Sequence, residues 1–136
     1  MRQALLRMTI ILVCLGLLFL VTQASTEPPP LVITAKDSGK TLRVQVGQRL
    51  TVDLKLEGDY AVEAPEFDPF ILALLGQTIQ STSGSRGASM QVKYEFEVRK
   101  AGETELIIPV RASSERSNQV KPILKIHLVI APGIGA

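Results

Sequence analysis

The 136-residue sequence predicts an all-β protein, folded as an antiparallel β-sandwich of seven to nine strands. Apolar and polar residues alternate over short runs, as strands require when one face is buried and the other wet. Turn signals rich in Gly, Pro, Asp and Ser separate the runs. Past residue 30, no segment carries apolar periodicity of helical length.

The clearest pattern runs from Gln91 to Arg111. Val92, Tyr94, Phe96 and Val98 alternate with Lys93, Glu95 and Glu97, and Leu106, Ile108 and Val110 repeat the period after Arg99-Lys100-Ala101-Gly102-Glu103. Gly102 supplies a residue that tolerates positive φ. The stretch is expected to form a long antiparallel hairpin with one buried face.

At the N-terminus, Arg2 and Arg7 precede an apolar run from Met8 to Val21, followed by Thr22, Gln23 and Ala24. Residues 1–24 thus read as a signal peptide cleaved after Ala24. The run falls short of the roughly 20 apolar residues of a membrane span. An uncleaved anchor, with the arginines in the cytoplasm, is the alternative. Either way the protein from Leu31 onward is expected to be secreted, periplasmic or in the cell envelope. Cys14 lies inside the apolar run, unlike a lipoprotein cysteine, and is the chain's one cysteine. Beyond the signal there is no disulfide framework and no thiolate metal site. Arg2 and Arg7 also supply the whole formal charge of +2, so the remainder is neutral and has no basic patch for nucleic acid. Residues 25–30, S-T-E-P-P-P, form a Pro-rich linker, residues 31–131 the sandwich, and residues 132–136 a flexible tail.

Within the sandwich, Leu31–Thr34 is the first strand and Asp37–Lys40 a turn. Thr41–Val46 and Leu50–Leu56 alternate on either side of the tight turn Gly47–Arg49. Tyr60–Ala64 is a short strand ended by Pro65 and Pro69. Phe70–Leu75 is either a helical turn or a buried strand. Thr78–Ser81 is a strand, Thr82–Ser89 a Ser/Gly-rich loop, Ala112–Lys121 a polar loop, and Ile123–Ile130 the last strand. With Phe70–Ser81 as one traverse, Glu57–Asp59, Thr82–Ser89 and Ala112–Lys121 share one end of the sandwich. Gly47–Arg49, Pro65–Pro69 and Arg99–Glu103 share the other.

No residue set points to catalysis. His127 is the one histidine, set in the last strand with no cysteine or carboxylate cluster around it, and a lone histidine makes neither a metal site nor a triad. Glu63, Glu66 and Asp68 lack the regular spacing of a calcium loop. Gly84-Ser85-Arg86-Gly87 is too short to cradle a phosphate and precedes a strand. The chain is read as no enzyme, with no cofactor and no metal.

The order of segments resembles the chagasin-type inhibitors of papain-like cysteine proteases. Gly39–Leu54, G-K-T-L-R-V-Q-V-G-Q-R-L-T-V-D-L, is similar to the family's opening strand, Val-Gly-Glu-like turn and second strand. Asp68-Pro69-Phe70-Ile71-Leu72 is similar to its D-P-x-[VL]-L segment, Gly84–Gly87 falls where it has a Gly-rich loop, and Lys100-Ala101-Gly102 matches its K-A-G turn. The likeness runs from about Lys36 to Ile130 and implies an immunoglobulin-like sandwich. It also implies inhibition by steric occlusion, three loops forming a wedge in the protease cleft. Carried onto this chain, the contacts fall to Gly58, Asp59 and Tyr60, to Gly84, Ser85, Arg86 and Gly87, and to Arg111, Ala112, Ser113 and Ser114.

The first and third loop motifs are missing. Glu57-Gly58-Asp59-Tyr60 stands where the family has N-P-T-T-G and an aromatic, Ala112-Ser113-Ser114 stands where it has R-P-W, and the chain has no Trp. Binding energy concentrates in a few aromatic and arginine anchors, so their loss can leave the sandwich intact and weaken the wedge. The expected partner is a papain-like cysteine protease. The alternative is another exported protein bound by a non-inhibitory module of the cell envelope. A membrane enters only through residues 1–24, if uncleaved.

Overall fold

The structure, a computed structural model, describes residues 27–112 and 120–133. The predicted signal peptide, Ser25 and Thr26 of the linker, Ser113 and Ser114, and the end of the tail lie outside the described residues. Eight strands are present among the described residues: β1 (Leu31–Ile33), β2 (Thr41–Gln45), β3 (Arg49–Glu57), β4 (Tyr60–Val62), β5 (Leu72–Gly84), β6 (Gly87–Val98), β7 (Gly102–Ala112) and β8 (Val120–Ala131). They form two four-stranded sheets, in the orders β1-β3-β6-β5 and β2-β8-β7-β4.

The alternating residues do what their period predicts. Leu50, Val52 and Leu54 of β3, Val92, Tyr94, Phe96 and Val98 of β6, Leu106 and Ile108 of β7, and Leu124, Ile126, Leu128 and Ile130 of β8 meet in one buried core. Among the described residues, no charged residue is buried with them. Among the described residues, the buried core runs from Ile33 to Ile130, with Leu31 packed against it. Phe67, from the segment after β4, sets its ring edge-on to Phe96 at 5.2 Å.

Four features differ from the sequence reading. The Gln91–Arg111 stretch is no hairpin: β6 pairs with β3 and β5, whereas β7 pairs with β8 and β4, so the K-A-G segment arches from one sheet to the other. Alternation tells which face is buried, and both strands bury theirs, but it does not name the hydrogen-bonded neighbour. Gly102 does adopt positive φ, at 141°, where the arch enters β7.

The second difference is direction. β3–β6, β5–β6, β4–β7 and β7–β8 are antiparallel, but β1 lies parallel to β3 and β2 parallel to β8, so both sheets are mixed. A short 3₁₀ turn, Ala35–Asp37, carries the chain from one sheet edge to the other. The Thr34 N–H donates to Asp37 Oδ2 at 2.9 Å. That bond, helped by Lys40 Nζ at 3.2 Å, holds the Asp37 carboxyl below the usual carboxylate range.

Third, Thr82–Ser89 is mostly strand. β5 and β6 continue to Gly84 and from Gly87, which face each other across the two-residue turn Ser85-Arg86. A strand wet on both sides shows no alternation, so this arm of β5 is silent in the sequence. Fourth, Phe70–Leu75 is a tight turn that opens into a strand, and that strand is not the buried one expected: Leu72 is buried, but Leu74 and Leu75 are exposed. The Ile71 and Leu72 N–H groups donate to the Asp68 carbonyl in a tight turn, and β5 starts at Leu72.

Candidate functional site

The register gathers the predicted loops at one end. Glu57, the last residue of β3, lies opposite Ser89 of β6, and the Gly58 N–H donates to the Ala88 carbonyl at 2.7 Å. Tyr60, the first residue of β4, lies opposite Ala112, the last of β7. Gly58–Tyr60, Gly84–Gly87 and Arg111–Ala112 therefore share an end, as the strand parity predicts, and Ser113 and Ser114 follow Ala112 in the chain. At the other end, the Gly47 N–H donates to Val98 O and the Arg99 N–H to Ile71 O, joining the remaining turns.

The three segments are not level. Gly87 lies two residues past Ser89, so the β5–β6 tip stands about 7 Å beyond the end of β3. Ser85 and Arg86 are exposed there. Beneath the tip, Gly58 holds φ at 116°, a conformation that glycine tolerates best. A Cβ at Gly58 would come within 3.2 Å of Tyr60 Cε2, so the Tyr60 ring lies against the glycine and is half-buried. Asp59 is exposed.

Arg111 is differently placed. Its Nη2 lies 3.2 Å from Glu63 Oε1, and its Nε is enclosed with no hydrogen-bond partner among the described residues. The guanidinium is thus engaged by its own sheet, through the short β4 and the residue that follows it. The pair is partly exposed, and such pairs contribute at most about 1 kcal/mol. Glu63 did not stand out in the sequence as a partner for Arg111. Only the pairing of β4 with β7 brings the two together.

No set of three metal-ligating side chains exists among the described residues, and no described helix is long and apolar enough to cross a membrane. His127 Nε2 lies 3.3 Å from Glu103 Oε2, toward the opposite end of the sandwich from Tyr60. What the loop end offers is shape: a projecting polar tip, an aromatic ring set back beside it, and the exit of β7.

The fold matches the crystal structure of the cysteine protease inhibitor EhICP2 from Entamoeba histolytica, with a TM-score of 0.59 and 20% identity, over 76% of this chain and 96% of that one. Amebosin, in its solution structure, follows at a TM-score of 0.49 and 12% identity, covering 76% of this chain and 100% of its own. PbICP-C, solved in complex with falcipain-2, follows at 0.44 and 10%, with the same coverage of 76% and 100%. No family model matches the sequence, and no curated protein matches it. The expected likeness to chagasin-type inhibitors therefore holds at the level of the fold, which by itself does not carry function.

Proposed function

We propose that the chain is an exported inhibitor of papain-like cysteine proteases that occludes the enzyme's cleft without chemistry of its own. Gly58–Tyr60, Gly84–Gly87 and Arg111–Ser114 make the contacts. The observation that carries this reading is the assembly of Gly58–Tyr60, Gly84–Gly87 and Arg111–Ala112 at one end of a sandwich whose fold is shared with a cysteine protease inhibitor. Rigid strands hold the loops in a fixed relation, which limits the entropy lost on binding. Export follows from the reading of residues 1–24 as a signal peptide.

A standard inhibitor interface buries about 800 Å² per partner and draws its energy from a few anchors. Among the described residues, Arg86 and Tyr60 are large side chains that the loop end presents. The test is titration of papain and a cathepsin-like enzyme with the protein beginning at Ser25. Activity should fall at micromolar protein or below. Arg86→Ala and Tyr60→Ala should weaken the effect, and Lys125→Ala, on β8, should not. Full protease activity at micromolar protein overturns the reading.

One alternative has an observation of its own. The chain has no Trp, and Arg111, which leads into the third loop, is paired with Glu63. Both suit a non-inhibitory module of the cell envelope that binds another exported protein. Capture of such a protein, together with undiminished papain activity, selects this reading.

A further inference from the structure

The apolar side chains left in solvent are not scattered. Six large ones stand exposed among the described residues, and four of them, Phe70, Leu74, Leu75 and Ile79, lie on β5 or in the turn that opens it. β5 is an outer strand whose far edge pairs with no described strand. The other outer strands are short: three residues in β1, five in β2 and three in β4. β5 has thirteen residues, with neither a charge nor a proline among them. Its bulge, at Leu74–Gly76, sits near its start, and the ladder with β6 is regular from Gly76 to Gly84. Free edges are ordinarily blunted by shortness, charge, proline or a bulge. From Gly76 onward β5 has none of these.

We propose that β5 pairs antiparallel with β5 of a second copy, about a two-fold axis at Thr78, joining two four-stranded sheets into one. A two-fold contact presents the same surface from both sides, so the strand must complement itself. An uncharged strand does so without setting like charges opposite each other. Complementary charge comes from just outside the strand. Arg86 is the one charged residue between Leu72 and Gln91. The two-fold axis brings the tip that carries it beside the second copy's Asp68–Ile71 turn. There Asp68 spends Oδ1 on the Phe70 N–H, at 2.9 Å, and the Phe70 side chain belongs to a residue 82% exposed. A carboxylate and an aromatic ring are both suited to a guanidinium. Symmetry makes the contact twice.

The test uses the protein beginning at Ser25, which lacks cysteine. Sedimentation velocity from micromolar to millimolar concentration should show a monomer–dimer equilibrium. Thr78→Lys sets two lysines opposite each other and should raise the dissociation constant about tenfold or more. Arg86→Glu, at an exposed tip, should raise it about threefold or more. In both, the melting temperature of the dilute monomer should stay near that of the parent protein. Thr78→Cys should oxidise to a disulfide-linked dimer much faster than Lys125→Cys, since facing residues in an antiparallel pair lie within disulfide reach. A parent protein that stays monomeric throughout overturns the proposal. So does a dimer unmoved by Thr78→Lys and Arg86→Glu, or equal oxidation of the two cysteine variants, either of which places the contact on another face.

Discussion

Phe96→Ala tests the core most directly. Phe96 is completely buried on β6, between Leu50 of β3 and Leu74 of β5. The Phe67 ring meets it edge-on at 5.2 Å, and the Tyr94 ring lies 6.2 Å away, tilted by 35°. Truncation removes the ring and leaves a cavity walled by strands held on both sides, which cannot collapse into it. Losses of about 3–5 kcal/mol are typical of such a change, and the two aromatic contacts place this one near 4. For a domain of this size each kcal/mol is worth about 4–8 °C, so the melting temperature should fall by about 15–30 °C. Circular dichroism in urea and on heating measures this, because the chain has no Trp for fluorescence. Glu97→Ala, the next residue but on the opposite face, should change stability by less than about 0.5 kcal/mol. A Phe96→Ala protein within about 1 kcal/mol of the parent would show that this face of β6 is not the core and would sink the reasoning.

Two further outcomes concern single atoms. Gly58→Ala forces a Cβ into a positive-φ position and toward the Tyr60 ring, so it should cost about 1–2 kcal/mol in urea titration and displace Tyr60 at the loop end. The Tyr94 hydroxyl is buried without a hydrogen-bond partner among the described residues, so Tyr94→Phe should be neutral or stabilising by about 1 kcal/mol. Burial holds the Tyr94 phenol above its ordinary range, so the unfolded chain ionises first as the pH rises. Stability should therefore hold below about pH 10 and decline above it, and Tyr94→Phe should make that decline shallower.

What the sequence disclosed depended on which faces were wet. Val92 to Val98 and Leu50 to Leu56 are half-buried, and their period identified both the strands and the core face correctly. The β6 and β7 partners were not legible, because alternation is the same whether two strands pair or face each other across a core. β5 past Gly76 lies open on both sides, so Gln77 to Gly84 carries no period and read as strand only at Thr78–Ser81. The Gly-Ser-Arg-Gly sequence did hold a signal, since Gly87 supplies the positive φ, 108°, with which the turn enters β6. Loop clustering was legible because parity needs only the number of traverses. The engagement of Arg111 by Glu63 was not, because it depends on β4 lying against β7.

The parallel pairing of β2 with β8 sets an order of completion. One sheet is assembled from residues up to Val98 alone, and the other cannot close until the final strand arrives, when Thr41 meets His127. A chain emerging N-terminus first carries a finished sheet with its apolar face uncovered through the synthesis of β7 and β8. Contacts that distant in sequence form slowly, and an uncovered face invites association in the meantime. A chain that stops short of Leu124 would leave β2 without its neighbour and half the core in water.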